Sequence, residues 1–201
     1  MNIFFLSLNP KNCALYHLDV HVVKMILETV QLLFSAQHIS QSDLTNCPEV
    51  YKLTHQNHPC AVWTRASINN YIWLCKLGIE LCHEYTYRYN KVHKCENIMK
   101  WLQNNEPNLP NIEFKTPPQC MPDEYKDKDT ITAYRQYYVN AKGNLQRVSY
   151  KKRDFPYWWH SAKVITVEPK VVVQKLQCKA MTKKGIRCRN NTTEQFCHLH
   201  K

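Results

Sequence analysis

The chain has 201 residues, a net charge of +11, 10 cysteines and only three glycines. That length holds one full domain and an appendage. Gly78, Gly143 and Gly185 stand too far apart for a phosphate-cradling loop or a dinucleotide fingerprint, which argues against a nucleotide-driven motor or a Rossmann dehydrogenase.

The charge is segregated. Residues 1–141 carry 13 Lys+Arg and 13 Asp+Glu, whereas residues 142–201 carry 14 against 3, so the whole excess lies in the C-terminal third. A basic third on a neutral body suits a polyanion, most simply nucleic acid and DNA in particular; the bland reading is a solubilising tail. The opening MNIFFLSLNP lacks the basic start and small-residue cleavage site of a secretory signal, and no apolar run reaches the length of a membrane span. The cysteines are scattered, with Cys75 and Cys82 at apolar helical positions, as expected of free thiols in a reducing compartment. The expected setting is intracellular, away from membranes.

The expected fold is mainly α: a compact helical and possibly catalytic domain over 1–160, a linker over 161–176, and a basic zinc-binding module over 177–201. Residues 2–8, NIFFLSL, read as a short N-terminal strand or an extended segment threaded into the core. Asn9-Pro10 leads into a first helix at about 11–37. At 100° per residue, His17, His21, Lys24, Glu28, Gln31 and Ser35 fall along one narrow seam, and apolar residues cover the rest. Such a helix is mostly buried, and its seam is either a solvated edge with an ordinary Lys24–Glu28 pair or the lining of a cleft.

Residues 38–59 read as a loop ending in His55-Gln56-Asn57-His58-Pro59, with Pro59 in the first turn of a helix that runs to about Asn90. His55 and His58 serve there as caps or as site members. A shorter helix follows at about 92–104. Five prolines at 107, 110, 117, 118 and 122 make 105–124 irregular, and a loop that long is often functional. The last helix spans about 129–147 and carries Tyr134, Tyr137 and Tyr138. The bases and rings beyond it suit either nucleic-acid contact or a hydrophobic latch that closes the domain. The nucleic-acid candidates are Arg147, Lys151, Lys152, Arg153, Trp158 and Trp159, joined by Lys183, Lys184, Arg187 and Arg189 further on. Residues 163–176 alternate apolar and polar side chains and read as two short strands or an extended linker.

In the C-terminal module, Cys178, Cys188, Cys197 and His200 have the residue types and spacing of a closed, structural zinc site. His198 competes for the fourth position. Too few apolar residues lie here for an independent core, so metal would supply the folding energy. The segment resembles short Cys/His tails on proteins of large DNA viruses, of the form C-x-A-x-T-K-K-G-x-R-C.

Four phrases of the body resemble a group of small phage and giant-virus proteins: H-x-D-x-H-V-V-K-M-I-L-E (His17 to Glu28), T-H-x-N-H-P-C-A-V-W (Thr54 to Trp63), E-Y-T-Y-R-Y-x-K-x-H-K (Glu84 to Lys94) and M-P-D-E-Y-K (Met121 to Lys126). More weakly, the body resembles the compact helical pyrimidine-dimer DNA glycosylases. In those enzymes the chain's N-terminal amine attacks the sugar, a glutamate on the first long helix stabilises the intermediate, and a basic, aromatic segment lies on DNA. The resemblance implies that role for Glu28, and Tyr134-Arg135-Gln136-Tyr137-Tyr138 is similar to that family's aromatic run. Asn2 departs from the pattern, because it normally leaves Met1 in place where the glycosylases expose a small residue.

Three functions fit these observations. One is a DNA-processing or repair enzyme of glycosylase type, with Glu28 as acid or base, His17 or His21 assisting, and Lys24 in the same seam. Another is a metal-dependent enzyme in which His17 and His21, at i,i+4, chelate an ion completed by Glu28, His55 or His58. The third is a non-catalytic nucleic-acid-binding protein whose binding lies in 142–201.

Overall fold

A computed structural model describes residues 2–143, 148–161, 176–181 and 186–192. The chain divides into two compact units, 1–165 and 166–201.

The first unit is helical: α1 (Pro10–Leu15), α2 (Asp19–Ile39), α3 (Pro59–Ala66), α4 (Ile68–Tyr89), α5 (Glu96–Asn104) and α6 (Thr130–Tyr137), with α6 running on as a π-turn over Tyr138–Lys142. The long helices α2 and α4 pack along each other, α1 and α5 lie against α4, and α3 bridges the pair. Gly78 permits the close approach of α4 to both α5 and α2. A Cβ there would meet Met99 Cε at 2.3 Å and Thr29 Cγ2 at 3.0 Å. No described helix is long and apolar enough to cross a membrane.

The N-terminal segment is extended but is not a strand. Ile3, Phe4, Phe5 and Leu6 are buried among helices that offer no edge to pair with. Side chains therefore take up its backbone groups: Arg135 Nε donates to the Leu6 carbonyl (3.0 Å), Trp73 Nε1 to that of Leu8 (2.7 Å) and Cys13 Sγ to that of Phe4 (3.2 Å).

The helix expected over 11–37 is two helices, broken at Tyr16–Leu18. Buried Arg88 fills the break. Its Nη1 donates to the His17 carbonyl (2.8 Å) and to Asp19 Oδ1 (3.0 Å), its Nη2 to the Leu15 carbonyl (3.0 Å), and its Nε to Glu84 Oε1 (2.6 Å). Carbonyls orphaned at the end of α1 thus find donors without water. Asp19, Glu84 and Arg88 are each at most 4% exposed. Removing one member of such a buried set strands the charge of the others, typically at about 3–5 kcal/mol.

The helix expected from Pro59 to Asn90 also divides, at Ser67, whose extended backbone lets its hydroxyl cap the Asn69 N–H (3.1 Å) while bonding the Ile112 carbonyl. Proline-rich 105–124 is irregular, as expected. α5 starts four residues later than its sequence suggests, after a turn bonded from Glu96 N–H to the His93 carbonyl (2.9 Å). The helix expected over 129–147 gives way to the π-turn after Tyr137, and 144–147 lie outside the described residues.

Residues 148–161 close the unit. The Lys151 N–H bonds both Asp19 oxygens (3.0 Å each), Arg153 makes a two-pronged pair with Glu84 (3.0 Å each), and Tyr150 and Trp158 enter the core. These contacts are those of the latch.

In the second unit, the two-residue strands β1 (Leu176–Gln177) and β2 (Asn191–Thr192) pair antiparallel, and Met181 bridges Arg187. Residues 162–175, which include most of the expected linker, lie outside the described residues.

Candidate functional site

Two turns beyond the break, α2 opens onto a polar pocket of about 160 Å³ lined by Asn2, Phe4, His21, Lys24, Met25, Glu28, Tyr137 and Lys142. Three of the four candidate catalytic residues, His21, Lys24 and Glu28, meet here. Glu28 accepts the Asn2 N–H on Oε2 (3.0 Å) and faces Lys24 Nζ from Oε1 (3.3 Å). A carboxylate has about four acceptor sites, so two partners leave it capacity for a ligand. Lys142 arrives from the π-turn and stands over the Tyr137 ring at 4.9 Å. The pocket thus holds one carboxylate and two ammonium groups, an arrangement suited to a ligand with an anionic backbone and a reacting centre that develops positive charge.

His21 is fixed from behind. Its Nδ1 lies 2.6 Å from the Tyr138 hydroxyl, which already accepts the Leu18 N–H at 3.0 Å. The tyrosine proton is therefore best given to Nδ1, so the neutral ring carries its own proton on Nε2. Burial, reinforced by His17, Lys142 and Lys24, pulls His21 down to about 3. At neutral pH it is a hydrogen-bond donor and not a cation.

His17, the fourth candidate, does not line the pocket. It is fully buried in the break between α1 and α2, with Nδ1 donating to the Cys13 carbonyl (2.7 Å) and Nε2 without a partner. Burial lowers it to about 4. The two histidines are not on one continuous helix, so the i,i+4 geometry expected of them does not form.

The described residues gather metal-ligating atoms elsewhere, at His58, Cys60 and Cys120, whose ligand atoms all lie within 4.8 Å of one another. His58 was an expected participant; the two cysteines were not, since sixty positions separate them and no spacing motif links them. His58 is the N-cap of α3, where its Nδ1 accepts the Cys60 N–H at 3.2 Å. That cap is worth about 1 kcal/mol, small beside the roughly 10–16 kcal/mol of zinc binding at structural sites. The Cys60 and Cys120 sulfurs are 3.6 Å apart. The Cys60 thiol is pushed up by its bond to Cys120 and by burial, while acceptance of that bond lowers Cys120 to about 7. Asn2 joins this cluster to the pocket: its Nδ2 donates to the Cys120 carbonyl (3.0 Å), and its Oδ1 accepts from Tyr134 (2.9 Å).

The nucleic-acid candidates of the first unit are engaged with the body. Arg153 is paired to Glu84, and its guanidinium lies 4.0 Å from the Tyr87 ring centroid. Lys152 Nζ donates to the Tyr87 carbonyl and to Asn90 Oδ1 (2.8 Å each), and Lys151 Nζ stands over Tyr89 at 4.6 Å. Trp158 is buried and Trp159 half-buried. Arg147 lies outside the described residues.

In the second unit, Cys178 and Cys188 are buried against each other, and the Asn190 N–H points at Cys188 Sγ (3.5 Å). Arg187 and Arg189 are exposed. Cys197, His198, His200, Lys183 and Lys184 lie outside the described residues.

Of the other lining residues, Tyr137 stood in the tyrosine run and Asn2 at the start of the chain, whereas Phe4, Met25 and Lys142 carried no site signal of their own. No family model, curated protein or solved structure matches the chain.

Proposed function

We propose that the first unit is a DNA-processing enzyme of glycosylase type, with Glu28 as its reacting carboxylate. The observation that carries this reading is the pocket itself, where a partly satisfied carboxylate faces Lys24 and shares the lining with Lys142, a neutral His21 and an aromatic ring. An extrahelical nucleotide would enter with its sugar at Glu28 and its base against Tyr137. An amine attacks C1′, the base leaves with the electron pair of the glycosidic bond, and Glu28 stabilises the positive charge that forms. The amine then sheds its proton as the sugar ring opens to a C1′ iminium; in the eliminating step the same carboxylate takes the C2′ proton, the C2′–C3′ double bond forms, and the 3′-phosphate leaves with the C3′–O electron pair. The family resemblance assigns the amine to the start of the chain, and the bond of the Asn2 N–H to Glu28 supports that assignment. Lys24 Nζ is a second amine within reach of Glu28.

The second unit fits a zinc-held cationic tail that grips DNA. Cys178 and Cys188, buried together, supply two of its four ligands, with Cys197 and His200 as the others. The alternative, a binder with no chemistry, draws on the charge segregation, since all of the excess lies in 142–201.

Glu28→Gln in the full chain, assayed on lesion-bearing and abasic duplexes, tests the reading. Cleavage should vanish while binding stays. Borohydride trapping followed by peptide mapping identifies the amine. Retained cleavage overturns the role of Glu28. An unmodified chain that binds DNA with steep salt dependence but neither cleaves nor cross-links favours the binder.

A further inference from the structure

We propose that His58, Cys60 and Cys120 bind a thiophilic divalent ion, zinc in the first place, at a site in the helical unit distinct from the C-terminal Cys/His module. The residues come from two places, the first turn of α3 and the proline-rich loop, and the folded chain brings them together. Cys60 is fully buried, and its two partners are half-buried.

The spacing suits the ion. Two thiolates, each about 2.3 Å from a tetrahedral zinc, stand roughly 3.8 Å apart. The Cys60 and Cys120 sulfurs are at 3.6 Å, far beyond the ~2.05 Å of a disulfide. An imidazole nitrogen about 2.0–2.1 Å from the same ion would stand roughly 3.6 Å from each sulfur, and the three ligand atoms, all within 4.8 Å of one another, reach that spacing by a side-chain shift of about 1 Å at most. Two sulfurs and one nitrogen select zinc over magnesium or calcium.

The neighbours hold the ligands in place. Cys120 is clamped through its backbone, its carbonyl accepting from Asn2 (3.0 Å) and its N–H donating to the Tyr134 hydroxyl (3.3 Å). Pro117, Pro118 and Pro122 stiffen the loop on either side. Three protein ligands leave one coordination position for water, as in metal sites that do chemistry. Binding also has a local signature. A neutral imidazole that gives either nitrogen to zinc can no longer accept the Cys60 N–H, so the cap bond of α3 is surrendered.

The proposal does not depend on the glycosylase reading, and its test has no activity readout. Full-length protein carrying Cys178→Ser and Cys188→Ser would be loaded anaerobically with zinc, and separately with cobalt(II), and its metal content measured. One ion per chain is expected, with the cobalt form showing thiolate charge-transfer absorption. Adding Cys120→Ser should abolish both. Should that variant fail to fold, alkylation of the otherwise native chain provides the readout: zinc should slow modification of Cys60 and Cys120 at least tenfold, and chelator should restore it. The Cys60 amide should exchange faster with zinc than without. A metal-free chain under reducing conditions overturns the proposal. So does equal alkylation with and without zinc, or a Cys60–Cys120 disulfide as the only species that forms.

Discussion

α2 carries two carboxylates within three turns, and they live in opposite surroundings. Asp19 is sealed: Arg88 and the Lys151 backbone meet its oxygens, and water does not reach it. Glu28 has one backbone N–H and one exposed ammonium, and it borders a pocket. A saturated carboxylate can only hold structure, because any ligand would have to displace a bond already made. An unsaturated one can take a ligand, proton or positive charge without breaking the fold. The two halves of the H-x-D-x-H-V-V-K-M-I-L-E phrase therefore do different work on one helix.

The comparison can be broken in several ways. The largest effect should come from Glu28→Gln, with cleavage of a lesion duplex falling by about two to four orders of magnitude and the urea midpoint barely moving. A large loss of stability would instead put Glu28 in the same class as Asp19. Arg88→Met should do the reverse, removing about 3–5 kcal/mol from the unfolding free energy by stranding Asp19 and leaving Glu84 with Arg153 alone; a change under 1 kcal/mol would show that water readily replaces the guanidinium.

Acid sharpens the contrast. His17 and His21 titrate at about 4 and 3 in the folded chain against 6.5 unfolded. Below pH 6.5 the unfolded state takes up protons that the folded state refuses. Stability is therefore complete above that pH and declines toward pH 4, by roughly 1.4 kcal/mol for each unit and each histidine at most. Replacing His17 with Asn should flatten the slope by one proton in pH-dependent denaturation, and an unchanged slope would mean that the ring is already charged when folded. The smallest effect is expected from Arg153→Ala. It removes a part-exposed guanidinium from Glu84 while Arg88 remains, and should cost about 1 kcal/mol in thermal melts. If DNA affinity fell tenfold with no change in melting, Arg153 would be a DNA contact after all.

Much of the pocket was legible in the sequence. Period-3.6 spacing alone aligned His21, Lys24 and Glu28, and the excess of apolar residues around them announced a buried helix. The break at Tyr16–Leu18 was not legible, because the group that stabilises it, Arg88, stands some seventy residues away in the chain. The basic aromatic stretch after Tyr150 was ambiguous for a chemical reason. The residue types that stack on bases and neutralise phosphates also cover a core and pair with buried acids, and only Asp19 and Glu84 as partners distinguish the two. Cys60 and Cys120 lay beyond spacing arguments altogether.

The contacts of the closing segment bear on how the chain is made. Tyr150 bonds the Tyr16 carbonyl, Lys151 bonds Asp19 and Arg153 bonds Glu84, so the two ends of the first unit complete each other. During synthesis, Arg88 can neutralise Asp19 once half of the unit is made, but the turn between α1 and α2 must wait for almost the entire unit before Tyr150 and the Lys151 N–H complete its hydrogen bonds. Contacts of such long sequence separation are slow to form. A chain cut just before residue 148 should therefore not be a shortened version of the protein but an unfinished one, loosened at its beginning by the loss of its end.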